Sequence, residues 1–386
     1  MISYKIYNSV DALPVSWDEL IAHDIFLKRD LLRALEQSYP YNITAFYVGV
    51  FKSETLVGMA LVQRVEMYID NVFRKTSTNY FKQIAKQLVS KIVKGNALVV
   101  GNLMHTGQHG LFFNSDMLTQ EAFLDKINEC LEELSRTIRR QFDKKIRIVV
   151  FKDYFESDMV HKSSEFFEVN KLYKVQVQPN MIFSVNQEWQ KIEDYISALN
   201  KKYKRRYKTA RKKALNLIGK ELSFEEVQGL NSELFALYKN VSDNARVNSF
   251  ILSENHFSAL KEHLKDKFKV FGYFKNNELV GFYTLILNND ILETYFLGYN
   301  QQEQQKYQMY LNMLYDMACY AIEHKFKKVV YARTAMEIKS SVGAKPHTMH
   351  IYLKHTNSFI ANTVLKLIVK YMNPIRKWEE RHPFKK

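Results

Sequence analysis

Residues 49–58 read GVFKSETLVG and residues 272–281 read GYFKNNELVG, identical in register at six of ten positions. Each copy is an apolar run, a polar turn and a second apolar run opening on Leu-Val-Gly, the pattern of a β-hairpin. The segments beyond the two copies also agree in order. The first continues with a strand at 97–102, a helix over about 119–141 and a strand at 146–151. The second continues with a strand at 291–300, a helix over about 304–325 and a strand at 327–332. A further helix-like segment, about 78–93, is inserted in the first copy alone. In the later helix Leu311, Leu314, Ala318 and Ile322 recur at helical spacing, so one face can cover a sheet. A strand, a covering helix and a parallel strand make a right-handed crossover. Each half therefore reads as an antiparallel hairpin leading into a parallel crossover, an α/β mixed sheet laid down twice.

That order resembles the GNAT superfamily, in particular the two-domain Fem-type group of peptidoglycan-biosynthesis-like acyltransferases. Four segments carry the resemblance: Leu-Val-Gly in both hairpins, TYFLGYN (294–300), EIKSSVGAKP (337–346) and the basic run DYISALNKKYKRRYKTARKKA (194–214). It implies tandem acyl-CoA N-acyltransferase-like domains and an acyltransferase activity. The expected division is residues 1–187, a basic linker helix over 188–220, and residues 221–386 with an amphipathic C-terminal helix. Acetyl-CoA-using GNATs place glycines after the fourth strand, where backbone N–H groups cradle a pyrophosphate. Here Asn300 to Lys306 contain no glycine. Side chains there crowd a close backbone approach. No bound cofactor is expected. The donor is an acyl thioester, acyl-CoA or acyl carrier protein, with aminoacyl-tRNA as the Fem-type alternative.

Acyl transfer to an amine requires a base for the attacking nitrogen, donors for the tetrahedral oxyanion, and an acid for the leaving group. Strict alternation along 291–300 puts Glu293, Tyr295 and Tyr299 on one face, with Asn300 on the other. Glu293 is the candidate base, because burial raises a carboxylate toward useful basicity. Tyr295 is a candidate acid, and Tyr299 and Asn300 are candidate substrate contacts. Arg333 and Lys339 come after the last crossover strand and suit an anion or oxyanion; the resemblance implies a functional lysine near Lys339. Glu337 and Tyr352 complete the substrate set. His105 and His109, in HTGQHG, end a strand of the first half at a loop. His347 and His350 lack metal-site spacing, and no metal is expected.

Residues 201–213 hold nine cations in thirteen positions. Tyr203, Tyr207, Ala210 and Ala214 form a docking stripe. Lys204, Arg205, Arg206, Lys208 and Arg211 then form a platform for tRNA, a carrier protein or anionic lipid. A net charge of +15 fits anionic partners of that kind. The two cysteines, Cys130 and Cys319, suit neither zinc nor a disulfide framework. The tail, about 358–372, reads as an amphipathic helix ended by Pro374, placed on the core of the second half, with an anionic bilayer as the other site. The start of the chain has no signal-peptide pattern, and no run is long and apolar enough to span a bilayer. The expected setting is cytoplasmic, at most peripheral to the inner membrane face. The main functional expectation is an N-acyltransferase acting on an amine of a cell-envelope or lipid precursor. A non-catalytic module that binds RNA or membrane is the rival from another class.

Overall fold

The computed structural model describes residues 1–21, 24–67, 95–244, 248–372 and 378–385. The inserted segment at 78–93 and Pro374 lie outside them. The chain forms two compact units: Met1–Val177 with Ala245–Ile251 and Thr348–Ile375, and Gln178–Asn244 with Leu252–His347 and Arg376–Lys386.

In the first unit β1 (Ile2–Tyr7), β2 (Ile43–Lys52), β3 (Thr55–Met67) and β4 (Gly95–Val100) pair antiparallel in turn. β5 (Leu111–Phe113) adds to β3. Helix α1 (Arg29–Gln37) precedes β2. After β4 the chain crosses by helix α2 (Gln120–Phe142) to β6 (Ile146–Phe155), which lies parallel to β4. Thr119 starts α2 by accepting from the Ala122 N–H, and its buried stripe of Phe123, Leu124, Ile127, Cys130, Leu131, Leu134 and Ile138 faces the sheet. Helix α3 (Ser164–Val169) leads into β7 (Tyr173–Ser184).

The second unit repeats this plan. Helix α4 (Ile192–Ala198), helix α5 (Lys201–Lys213), β8 (Ile218–Glu221), helix α6 (Asn231–Asp243) and helix α7 (His256–Leu264) come first. Then β9 (Phe268–Lys275), β10 (Glu278–Asn288) and β11 (Ile291–Tyr299) pair antiparallel, and β12 (Lys328–Val330) lies parallel to β11. The two hairpins match in detail. In one, Phe51 faces Leu56 and Val50 faces Gly58; in the other, Phe274 faces Leu279 and Tyr273 faces Gly281. Both skip the valine of Leu-Val-Gly as a bulge, and both turns hold a left-handed residue, Ser53 and Asn276. The repeated glycine has one physical reason in both units. A Cβ at Gly58 would strike the Phe123 ring of the crossover helix, and one at Gly281 would strike Met309.

Four expectations are corrected. The crossover of the second unit is two helices, α8 (Gln301–Tyr307) and α9 (Met309–Glu323), broken at left-handed Gln308. Asn312 Nδ2 lies 3.1 Å from the Tyr307 carbonyl, 3.3 Å from that of Gln308 and 3.0 Å from that of Ala210, and so bridges the break to α5. Residues 188–220 are not a linker: Tyr203 and Ala210 of α5 are buried in the second unit's core, and Tyr207 sits edge-on to Tyr315, 4.8 Å between centroids. Nor do the units divide at one point in sequence. From Gln178 on, β7 belongs to the second unit, antiparallel to β12. After helix α10 (Met336–Ser340), β13 (Lys345–His355) joins the first unit from Thr348, antiparallel to β6. Each half's last strand completes the other's sheet, which a left-to-right reading of the chain does not see. The C-terminal helix α11 (Phe359–Met372) accordingly seats Leu365 among Ala97, Ile148 and Leu353 of the first unit, not on the second.

Candidate active site

The second unit's chemistry gathers where β11 and β12 part. They pair over three residues only, Ile291 to Glu293 against Lys328 to Val330. β12 then stops, while β11 runs on to Tyr299. Two residues of β11, Tyr295 and Phe296, stand opposite Thr284 alone. This bulge brings the Phe296 carbonyl to Thr284 Oγ1, which donates to it at 2.7 Å. It also reverses the strand's alternation. Leu292 packs with Leu297 and Tyr299 in the core that includes α9, whereas Tyr295 and Phe296 pack against His256, Tyr238 and Phe268. Tyr299 therefore does not share a face with Tyr295, contrary to strict alternation.

Glu293 is buried in the register of Val330. Tyr295 is half-buried, its hydroxyl 3.0 Å from His256 Nε2 at the start of α7. Just past β12, Ala332, Thr334 and Ala335 all adopt left-handed φ, between 47° and 67°. Such a run is strained for residues with a Cβ. It turns the Ala332 and Arg333 carbonyls toward Lys339 Nζ, which donates to them at 3.2 and 2.6 Å. Lys339 is buried, and among the described residues no carboxylate pairs with it. Burial without a counter-ion lowers its pKa to about 7. Burial likewise lowers that of the Arg333 guanidinium to about 10.

Other expected contacts fall elsewhere. Asn300 caps α8, its Oδ1 accepting from Gln302 and Glu303 N–H at 3.0 and 3.3 Å. Tyr299 packs near Tyr310, and burial raises its pKa. Glu337 is exposed and meets the C-terminal tail through Arg381 at 3.8 Å. Tyr352 belongs to the first unit, where it stacks on Phe167 with centroids 3.6 Å apart and its hydroxyl donates to His161 Nδ1 at 2.7 Å. His161 Nε2 then donates to the Phe155 carbonyl at 2.8 Å, which fixes that tautomer.

On α5, Arg211 is neutralised within the unit. It reaches Asp316 at 2.6 Å and Asn312 at 3.2 Å and lies over the Tyr207 and Tyr315 rings. Burial alone would lower its pKa, but Asp316 carries it upward, while burial raises Asp316. Lys204, Arg205, Arg206 and Lys208 make no ion pair among the described residues, so they remain the exposed or half-exposed cations of the helix.

Sequence reasoning passed over His256 and, in the first unit, the Asp24, Lys152 and Asp153 partners of the HTGQHG loop. There His105 stacks on Phe26 at 4.0 Å between centroids, and His109 Nδ1 lies 2.8 Å from Asp24 Oδ2. Lys152 donates to the His105 carbonyl at 2.6 Å and pairs with Asp153, which also accepts from the Gly107 N–H at 3.2 Å. Burial pushes His105 well below the usual imidazole range. Burial favours protonated Asp24, but the charge and hydrogen bond of His109, with the Phe26 N–H, together outweigh it and hold Asp24 low. The HTGQHG loop is thus bound down by its own polar contacts.

Two units of one strand order in a single chain define the tandem GNAT fold. The structure is similar to a crystal structure of FemX, covering 95% of this chain and 100% of that one, with a TM-score of 0.56 and 9% identity. It is also similar to a tandem GNAT protein from the clavulanic acid biosynthesis pathway, solved without AcCoA, covering 92% and 98%, with a TM-score of 0.50 and 9% identity. At these identities the likeness is one of fold. No family model matches the sequence, and no curated protein matches it. Among the described residues no helix is long and apolar enough to cross a membrane.

Proposed function

We propose that the second unit is an N-acyltransferase, joining an activated acyl group to an amine of a cell-envelope or lipid precursor. The observation that carries the reading is Lys339, a buried ammonium presented by two backbone carbonyls at the end of a strained turn. In the reaction the amine nitrogen attacks the acyl carbon, and a C–N bond forms as the bond to sulfur or oxygen breaks. Glu293 takes the proton from nitrogen. Lys339, protonated, donates to the carbonyl oxygen as negative charge develops there. Tyr295, backed by His256, gives a proton to the departing group and regains one by way of Glu293 and solvent.

The donor is a thioester whose carrier does not depend on the start of α8, since the Asn300 side chain already occupies the Gln302 and Glu303 N–H groups. An aminoacyl ester on tRNA is the second reading. It is supported by the cations of α5 that no carboxylate neutralises among the described residues. The test is transfer of label to an amine from acetyl-CoA, long-chain acyl-CoA, acylated carrier protein and aminoacyl-tRNA, with Glu293→Gln and Lys339→Met beside the unaltered chain. Loss of transfer in both folded variants supports these roles. Unaltered rates in both would remove them.

A further inference from the structure

The first unit holds a cavity of about 320 Å³ among β5, the first turn of α2, the end of β6 and residues 158–160. About half of its wall is apolar, from Leu111, Phe112, Phe113, Phe123 and Leu124 with Met159 and Val160. Four polar side chains also line it, Gln108, Gln120, Tyr154 and Asp158, and no Lys, Arg or His does.

Most of that polarity is satisfied within the protein. Gln108 Oε1 accepts from the Gly110 and Leu111 N–H groups, and its Nε2 donates to the Leu111 carbonyl. Gln120 Nε2 donates to the Met159 carbonyl and to Ser163 Oγ. Asp158 Oδ2 accepts from the Phe155 N–H at 2.8 Å. What remains is the second oxygen of Asp158 and the Tyr154 hydroxyl. Tyr154 is 3% exposed, and its hydroxyl has no hydrogen-bond partner among the described residues. Leaving such a group unpaired costs free energy that a ligand can recover. Tyr154 and Asp158 are close enough for the carboxylate to raise the Tyr154 pKa, after burial, the larger cause. Burial raises Asp158 itself, with the Phe155 N–H and the nearby His161 offsetting only part of it, and no cation lines the cavity.

We propose that this cavity binds a small primary amine with an apolar body. The ammonium pairs with Asp158 and donates to the Tyr154 oxygen, while the aromatic walls take the apolar part and favour the cation over their faces. A carboxylate or phosphate is refused, because Asp158 repels it and no lining cation attracts it. The charge of Asp158 outweighs the partial positive charge at the start of α2, which Glu121 in that first turn also offsets. The site is independent of the acyl-transfer reading, because it lies in the first unit and contains none of the residues assigned there.

The test is calorimetric titration and thermal shift of the intact chain with 2-phenylethylamine, 2-phenylethanol and 3-phenylpropionate. The amine is expected to bind saturably at one site and raise Tm, and the alcohol and the acid to do neither. Asp158→Asn keeps the acceptor for the Phe155 N–H, so the fold is retained, and should weaken the amine about tenfold to a hundredfold. Tyr154→Phe removes only the unpaired hydroxyl and should weaken it about tenfold. Alcohol binding equal to amine binding, or amine binding unchanged in Asp158→Asn, overturns the proposal whatever the transferase assays give.

Discussion

Lys339 Nζ lies 2.6 Å from the carbonyl oxygen of Arg333, six residues back along the chain. A neutral carbonyl orients the ammonium without supplying the opposite charge that would offset its burial. The folded pKa is therefore about 7, against 10.5 for the free side chain. The unfolded chain binds more protons than the folded one between those values, so this group makes stability rise with pH across that window. Below pH 7 the burial penalty is about 5 kcal/mol, and it fades toward pH 10.5. Lys339→Met should stabilise the fold at pH 6 and flatten the rise between pH 7 and 10. Urea unfolding of both chains at pH 6, 8 and 9.5 checks this; parallel curves would refute the assigned pKa.

The same titration predicts the rate profile under the proposed mechanism. Lys339 acts there in its protonated form, so kcat/KM should fall as pH rises through about 7. In Lys339→Arg the limb should leave the measurable range, because a guanidinium stays charged. A profile flat from pH 6 to 9 in the unaltered chain would remove Lys339 as the oxyanion donor.

Gly343, at φ 107°, ends the turn beyond α10, and a Cβ there would stand 2.6 Å from the Phe384 ring. Phe384 also lies within 6.2 Å of the Phe183, Trp189 and Tyr195 rings, centroid to centroid, and bridges to Leu199. The Arg381 N–H donates to Ser340 Oγ at 3.0 Å. The tail thus holds the helix that carries Lys339. Gly343→Ala meets both backbone strain and the ring, and should cost about 2–4 kcal/mol. Phe384→Ala should cost about 2 kcal/mol, since the ring is only partly buried. Chemical denaturation reads both, and a Gly343→Ala chain as stable as the original would contradict the geometry.

The repeat was legible because its cause is local. Leu-Val-Gly needs a bulge and a helix seated on the glycine, and both leave their mark within ten residues. Glu293 stood out as a carboxylate within an apolar strand, Tyr295 by sharing its face, and Lys339 by its place after the crossover strand together with what the Fem-type resemblance implies. What stayed hidden is non-local. The bulge at Tyr295 and Phe296 is set by Thr284 on the neighbouring strand, so nothing in 291–300 tells that Tyr299 changes face. Arg211 looked like one cation among nine, because its partner Asp316 is remote in sequence. The exchange of β7 and β13 between units has no sequence signature, since either strand reads equally well as the end of its own half.

That hidden pairing separates the cations of α5. Arg211→Ala should cost about 1–3 kcal/mol, because half-buried Asp316 loses its cation and keeps, among the described residues, only the Tyr273 hydroxyl. Joint replacement of Arg205 and Lys208 by Ala should leave stability within about 0.5 kcal/mol. If α5 serves a polyanion, the double variant should weaken binding at low salt and reduce the slope of log K against log salt by roughly one to two. Fluorescence anisotropy with labelled tRNA over a salt series, beside urea unfolding, distinguishes the two kinds of cation. An Arg205/Lys208 variant with an unaltered salt slope would take α5 out of the binding surface.

Thr284 offers the sharpest test of the bulge. It is fully buried, and its hydroxyl donates to the Phe296 carbonyl at the bulge. Thr284→Val keeps the shape and removes this hydrogen bond, at a cost of about 0.5–1.5 kcal/mol. Thr284→Ser restores the donor and should recover most of that loss. If the bulge positions Tyr295 beside His256, the valine chain should also lose transfer activity beyond what its stability explains, and the serine chain should regain it. Equal stability of the valine and serine chains would mean that another group satisfies the Phe296 carbonyl and that the bulge does not depend on Thr284.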